Sequence, residues 1–533
     1  MYKRQGIDEP VTGEPTYTFT SGLVPIWAIQ GPGFRSPYSQ QTVETVGVVT
    51  GVFPELDGFW IQESVTDNDP STSAGLFVDA GINQADVAVG DLVSVKGVVR
   101  EFYEQTQLTI GTVTHLAILS QGNPLPAPLG LDPPADETAS DRYFESLEGM
   151  RVAVAESAVV VGPTNRYGEF AVVLAYHQRD RLYRGEDNGI IIMADDGSSI
   201  VHDDQSTLAF AVSNGDRITD LSGLLAYSFG NFKIEPVGPP VITASERPAP
   251  PRVSLSEGQY SIMTWNVENL FDVRDPHPSS PPLPTVSEYR QQITKVAETI
   301  LAAGLPTVIG LQEVENVGVL EDIAEHDLLA ESGYMPVLIE GTDSRGIDVG
   351  YLVRGDQAEV VEQVQYPAPE GITSRPPLLV KVRLIGPDSV LYLLNNHFTS
   401  MSGGEAATEP RRAAQAQWNV TVTEELLAED PGALLAVIGD LNSFFDSLPI
   451  DVLRDAGLEH VFGRLPESER YTYVYEGVSQ TLDHILVTDS LDALIDEVIV
   501  LHVNADYAIA PQGDISAVKK SDHDPVIVLI TPE

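Results

Sequence analysis

Eight polar residues in the C-terminal half stand where apolar, strand-like runs end or begin. Asn266 follows YSIMTW, Glu313 follows TVIGLQ, His397 follows SVLYLLNN, and Asp440 follows ALLAVIG with Asn442 two residues on. Asp483 opens the run DHILV, and Asp522-His523 precede DPVIVLI. Carboxylates gathered at one mouth repel each other and stay ionised together only beside cations or hydrogen-bond donors. A hard divalent ion, Mg2+ (or Mn2+), meets that need, because it takes oxygen ligands and keeps open water positions. Such an ion can neutralise a phosphate and stabilise charge on a leaving oxygen. A histidine held by an aspartate is a suitable base for activating water. The set therefore describes phosphodiester hydrolysis. Taken singly, a strand-end Asp is usually a turn or a cap and a lone His is usually structural; the repetition beside clear strands is what argues for a site.

For these residues to meet, the strands must run in a particular sense. Asn266, Glu313, His397 and Asp440 close strands, whereas Asp483 and Asp522-His523 open them. The two sets share a rim only if they are antiparallel. That predicts a mixed α/β sandwich, two packed sheets flanked by helices, rather than a doubly wound parallel sheet. Asp440 and Asn442 face the same side if the chain is still extended there. SEYRQQITKVAETILAAG reads as an amphipathic helix with Ser287 as its N-cap and Gly304 as its stop. EPRRAAQAQWNVTVTEELLAE reads as a second helix.

The whole chain has 533 residues, enough for about two to four domains. Pro-rich stretches at 123–137 and 246–258 read as linkers and give regions 15–122, 138–245 and 259–533. The first is a series of short strands suited to a small barrel or sandwich. Its Trp27, Phe59, Trp60 and Tyr103 could stack on bases, although filling a barrel core is the more economical use of them. Asp67 and Asp69 in TDNDPSTS offer oxygens to Ca2+; the loop lacks the EF-hand pattern, and a solvated turn explains it as simply. The second region is also β-rich and carries no catalytic cluster.

The formal net charge of −48 repels nucleic acid unless cations or a local basic groove intervene. The absence of cysteine excludes disulfides and thiolate zinc sites. No run approaches the roughly 20 apolar residues of a membrane span. No apolar run of a secretory signal follows MYKRQGIDEP, which fits either a mature chain or an incomplete reading of the gene starting here.

The ordered series IMTWNVENLFD, VIGLQEVEN, SRGIDVGYLVR, LNNHFTS, VIGDLNSF, TLDHILV and SDHDPVIV resembles the endonuclease/exonuclease/phosphatase (DNase I-like) superfamily across 259–533. The NVENLFD and SRGIDVGYLV forms resemble its secreted bacterial nucleases, and the strands from SPYSQQTVETVGVVT to DLVSVKGVVREFYEQTQL resemble the OB-fold-like module found ahead of them. The resemblance implies N-terminal all-β OB-like modules followed by a DNase I-like four-layer α/β sandwich. It implies a secreted enzyme dependent on Mg2+ (or Mn2+), with Ca2+ as a further ion, that cuts DNA, and RNA as an additional candidate, with low sequence preference. Glu313 would be the principal metal ligand, with Asn266 and Asp522 beside it. His523 would be the base or water-positioning group, oriented by Asp483. His397 would stabilise the scissile phosphate or act as an acid, and Asp440 and Asn442 would orient nucleophile and phosphate. Either Asp440 or His523 removes the water's proton. Asp348 is expected to hold His397. Arg345 and Arg411 are expected to meet phosphate oxygens, with plain surface solvation as the other reading of Arg411. Two rival functions use the same residues: a phosphoesterase for lipid or small-molecule phosphates, and a non-catalytic surface-binding protein.

Overall fold

The computed structural model describes residues 22–532 apart from 65–66, 82–85, 112–114, 248–251, 275–276 and 278. The opening of the first expected region at 15–21 and the middle of the second Pro-rich stretch lie outside the described residues. The chain divides into two compact units, Met1–Glu246 with Glu476–Val478, and Arg247–Tyr475 with Ser479–Glu533.

In the N-terminal unit, helix α1 (Ile26–Gln30) precedes six strands: β1 (Thr42–Phe53), β2 (Gly58–Gln62), β3 (Gly75–Asp79), β4 (Leu92–Phe102), β5 (Gln105–Thr109) and β6 (Leu116–Ser120). Their order is β1-β2-β3-β5-β4-β6, and β1 also pairs with β4, so five of them close on themselves. Strand alternation builds the interior: along β4, Val93, Val95 and Val99 are buried while Lys96 and Arg100 face solvent. Phe59 and Trp60 are each 1% exposed and serve the interior, whereas Tyr103 is 69% exposed. The carboxylates of Asp67 and Asp69 accept from donors of their own turn, Asp69 N at 3.0 Å and Ser71 N at 2.9 Å respectively, and so cap it.

A nine-stranded sheet follows, built from β7 (Leu129–Gly130), β8 (Arg151–Ala153), β9 (Ala158–Gly162), β10 (Phe170–Leu174), β12 (Ile192–Ala194), β13 (Arg217–Thr219), β14 (Ser222–Ser228), β15 (Asn231–Pro236) and β16 (Val241–Thr243), with the two-residue β11 (Leu182–Tyr183) between β10 and β12 in the chain. The Pro-rich stretch 123–137 is not a free tether. Its extended backbone supplies β7, which pairs in parallel with β8, and Asp136 caps helix α2 (Glu137–Glu145) by accepting from Ala139 N at 2.8 Å. The two sheets of this unit share a buried seam, where Glu148 accepts from Thr106 N at 3.1 Å and Gln62 accepts from Arg151 N at 2.9 Å.

The C-terminal unit contains two six-stranded sheets. One consists of β17 (Tyr260–Leu270), β18 (Val308–Val314), β19 (Tyr334–Leu338), β20 (Asp348–Arg354), β29 (Ile495–Val500) and β30 (Val526–Ile530), in the order β19-β20-β18-β17-β30-β29. The other consists of β21 (Ala358–Gln365), β22 (Leu378–Leu384), β23 (Val390–His397), β24 (Leu434–Asp440), β25 (Glu459–His460) and β28 (Asp483–Val487), in the order β21-β22-β23-β24-β28-β25. Strands β26 (Tyr473–Tyr475) and β27 (Val478–Gln480) pair with each other.

Both faces of each sheet are apolar, because successive side chains point to opposite sides and both sides are covered. Ile262, Val308, Leu393, Ile438, Ile485 and Val528 meet between the sheets. Met263, Trp265, Ile309 and Ile527 pack outward against α3 (Val286–Ala302) and α4 (Val317–Ala324). Leu394, Leu435, Val437 and Leu486 pack outward against α5 (Glu405–Glu429) and α6 (Leu448–Asp455). The result is the four-layer mixed sandwich that the strand-end argument required.

Helix α3 is capped two residues earlier than its sequence suggests. Thr285 and Glu288 form a reciprocal capping box, so Ser287 lies inside the first turn. Gly304 does end the helix, at φ +82°. Among the described residues no helix is long and apolar enough to cross a membrane.

Candidate active site

Registry brings the expected residues to one rim. Strands β17 and β18 are parallel with Asn266 opposite Gln312, β23 and β24 are parallel with His397 opposite Asp440, and β24 and β28 are antiparallel with Asp440 opposite Asp483. Strand β30 is antiparallel to β17, which delivers Asp522 and His523 to the same end.

Asn266 and Glu313 do not close their strands as expected. Both strands continue through irregularities in their ladders, between Asn266 and Leu270 and between Gln312 and Val314. Glu313 has φ +65°, and Glu268 and Asn269 have φ +50° and +40°. Bulges of this kind re-aim side chains next to active sites, at a cost in backbone strain.

The Glu313 carboxylate accepts from Asn269 N at 2.8 Å and lies 3.3 Å from Arg345 Nη2. Ser521 Oγ donates to Asn266 O at 2.8 Å, which ties the segment bearing the half-exposed Asp522 to β17. Glu268, unmarked in the sequence reading, joins this group. Burial first, then the Asp522 charge, pushes its carboxyl up to about 7, against the pull of Lys520 and Lys519. These are hard oxygen donors whose charges repel one another, and that crowding fits a divalent cation. Glu313, Asn266 and Asp522 are the candidates to hold it.

On the other side of the rim, His523 Nδ1 lies 2.7 Å from Asp483 Oδ2. Burial works against the charged imidazole, but Asp483, Asp522 and Asp440 outweigh it and hold His523 well above its ordinary value. Asp440 Oδ2 accepts from Asn266 Nδ2 at 3.0 Å and Asn442 Nδ2 at 3.1 Å, and its Oδ1 accepts from Asn442 N at 2.9 Å. Burial, offset in part by His523, raises the Asp440 carboxyl to about 7. Asp440, Asp483 and His523 bring ligand-type atoms within 4.8 Å of one another. That trio is a second candidate to hold an ion: Asp483 Oδ2 is bonded to His523, but Asp483 Oδ1 is buried without a hydrogen-bond partner.

His397 Nε2 lies 3.5 Å from Asp440 Oδ2 and 3.7 Å from Glu313 Oε1, so it sits between the two halves of the rim. Burial, then Arg375, Arg345 and His523, holds it neutral, well below the usual histidine range. Its expected support from Asp348 is not made. Asp348 Oδ1 accepts from Gly341 N at 2.8 Å, while His397 Nδ1 is buried without a hydrogen-bond partner. Arg375 anchors this strand end instead: it donates to His397 O at 3.2 Å and Phe398 O at 2.9 Å and pairs with Asp343 at 2.8 Å. Arg375 lies in a loop without periodicity, so nothing in the sequence marked it. Arg345 stands at the rim with a side chain 45% exposed, whereas Arg411 is exposed and donates to Ile372 O at 3.0 Å, with no bond to any rim residue.

The turn into Asp440 depends on Gly439. At φ +132° a Cβ there would stand 2.0 Å from Asn396 O. Gly439→Ala should destabilise this unit by about 3 kcal/mol or more. At about 2–4 °C per kcal/mol for a unit of this size, calorimetry should show Tm falling by roughly 6–12 °C; an unchanged Tm would refute the steric reading.

Residues 261–500 match the family model of the Endonuclease/Exonuclease/phosphatase family. The C-terminal unit thus carries a domain matched by the endonuclease/exonuclease/phosphatase family, and its sandwich is of the DNase I-like kind. Residues 130–245 match a domain of unknown function, DUF8508. No curated protein matches the chain. Among solved structures it is similar to D. rerio TDP2 complexed with single strand DNA product, at 19% identity over 51% of this chain and 98% of that one, with a TM-score of 0.37. It is also similar to truncated Caenorhabditis elegans TDP2, at 19% identity over 52% and 99% with a TM-score of 0.38. A third is the human Nocturnin catalytic domain with bound sulfate anion, at 16% identity over 53% and 98% with a TM-score of 0.38.

Proposed function

We propose that this protein is a secreted, metal-dependent nuclease that hydrolyses phosphodiester bonds of extracellular DNA, with RNA as a further candidate substrate, at low sequence preference. The observation that carries the reading is the His523–Asp483 bond of 2.7 Å facing Asp440, on the rim that also holds Glu313, Asn266 and Asp522. The secreted and nucleic-acid parts rest on the NVENLFD and SRGIDVGYLV forms. The closed strand order of β1 to β5 supports an OB-fold-like module, with exposed Tyr103 as a ring on which a base can stack.

Asp483 holds the Nδ1 proton of His523 and turns Nε2 outward as the basic nitrogen. Ligand-type atoms of His523 and Asp440 lie within 4.8 Å of each other, so the two side chains flank the place a water takes at the rim. His523 takes the water's proton. Asp440 is the poorer base, because its oxygens already accept from Asn266 and Asn442. Asp440 and Asn442 instead orient the water and the phosphate. Neutral His397 donates to a phosphate oxygen, and Arg345 exchanges Glu313 for another. Glu313, Asn266 and Asp522 would hold a divalent cation, which would supply Lewis acidity toward the phosphate and offset Asp522's share of the negative charge around His523.

The test is cleavage of plasmid and single-stranded DNA by the full chain, with and without chelator. Chelation should abolish cleavage. With a net charge of −48, the rate should keep rising with divalent concentration beyond saturation of a single site, because screening ions must also bring DNA to the surface. A rate that plateaus at one-site saturation would count against the screening. Intact DNA alongside hydrolysed phospholipid or sugar phosphate would overturn the nuclease reading.

A further inference from the structure

Beneath the catalytic loop lie two buried histidines that the chemistry above does not use. Along β28, Asp483 faces the rim while His484 points to the opposite side, under residues 441–444, as strand alternation requires. His484 Nε2 lies 2.7 Å from Ser443 O, and His484 Nδ1 lies 2.7 Å from His460 Nε2. His460 Nδ1 accepts from Phe462 N at 3.1 Å.

The chain has one consistent direction. A backbone N–H can only donate, so His460 Nδ1 carries no proton and its Nε2 does. His484 Nδ1 therefore accepts, and its Nε2–H donates to the Ser443 carbonyl, which can only accept. Both rings must be neutral. Phe445 and Phe462 pack on His460 at 4.8 and 5.2 Å between ring centres, and Arg454 lies 4.2 Å over Phe445. In this dry setting burial pushes His484 down to about 4 and His460 well below its ordinary value.

What the chain holds is the turn carrying Asn442. That residue sits at φ +45°, a conformation that costs energy for a side chain other than glycine. Its amide donates to Asp440 Oδ2 and to Phe398 O, so its placement sets the catalytic carboxylate. We propose that the Phe462–His460–His484–Ser443 hydrogen-bond chain is a positioning device, through which His460 and His484 hold Asn442 and Asp440 in the geometry the reaction needs. Neither histidine touches substrate in this arrangement. The proposal rests on the phosphodiesterase reading of the same site.

The experiment has two arms on the full-length protein. Long-range 15N–1H NMR of the wild type should show His460 and His484 as neutral Nε2–H tautomers at pH 7. An Nδ1–H tautomer or an imidazolium at either ring overturns the proposal, whether or not the protein cleaves DNA. In the kinetic arm, His460→Leu should lower kcat by about 10-fold or more with KM within about 3-fold, because displaced catalytic groups cost rate rather than binding. His460→Gln, whose amide can accept from Phe462 N and donate to His484 Nδ1, should restore most of kcat. Equal loss in both variants, or full activity in His460→Leu, overturns it. If His460→Leu does not fold, the tautomer arm still decides. A wild type that cleaves no phosphodiester refutes the functional reading while leaving the NMR result to stand alone.

Discussion

His523→Ala should lower the rate of DNA hydrolysis by about 10²-fold or more, the contribution expected of a general base in reach of its water. The loss should appear in kcat, because His523 bonds to Asp483 rather than to any group proposed to bind DNA. Asp483→Asn should cost nearly as much. An asparagine that turns its amide toward Nδ1 drives the Nδ1 proton off and places a proton on Nε2, the nitrogen needed as base. The double variant should be little worse than either single one, because residues that act as a unit give strongly non-additive losses. Single-turnover cleavage of a short labelled duplex checks all three proteins. A His523→Ala enzyme within a few-fold of wild type would remove His523 from the base role and leave Asp440 as the group to test. Additive losses in the double variant would separate Asp483 from His523 in function.

Glu313→Gln should weaken divalent binding and lower the rate at ordinary Mg2+ by about 10²-fold or more, since metal stabilisation of transition-state charge is worth several kcal/mol. The substitution keeps shape and one oxygen but removes the charge that the bulge at φ +65° aims into the rim. Part of the rate should return at high Mg2+ or Mn2+, which a folding defect would not allow. Titration calorimetry with Mn2+ should show the tightest site weakened or lost. Without metal the variant should be no less stable to heat than the wild type, because it relieves repulsion with Glu268. Unchanged Mn2+ affinity would move the ion to other residues, with the trio of Asp440, Asp483 and His523 as the next candidate.

Much of the site was legible in the sequence for a local reason. A strand buried on both faces is a nearly continuous apolar run, and a polar residue at its end is conspicuous. His397, Asp440 and Asp483 were found this way. Asn266 and Glu313 stood out equally, but their strands were expected to stop there, and a bulge has no reliable mark in a single sequence. Ser287 was the expected helix cap because it opens the amphipathic run; Thr285 took the position because it also pairs with Glu288. The family resemblance pairs Asp348 with His397, but in the fold the Asp348 carboxylate accepts from Gly341 N instead.

The sequence by itself determined the eight strand-end residues of the rim, the layer class of the C-terminal unit and the sense in which its strands must run, because alternation and strand-end polarity are properties of neighbouring residues. Only the tertiary structure decided which partners those residues take. The bonds that define the site join positions 174 residues apart for Asn266 and Asp440, and 40 apart for Asp483 and His523. Glu268, Arg375 and the His460–His484 pair acquire meaning only through such contacts. A charge, a tautomer or a left-handed turn is set by what surrounds it, and that is known only once the sheets have packed.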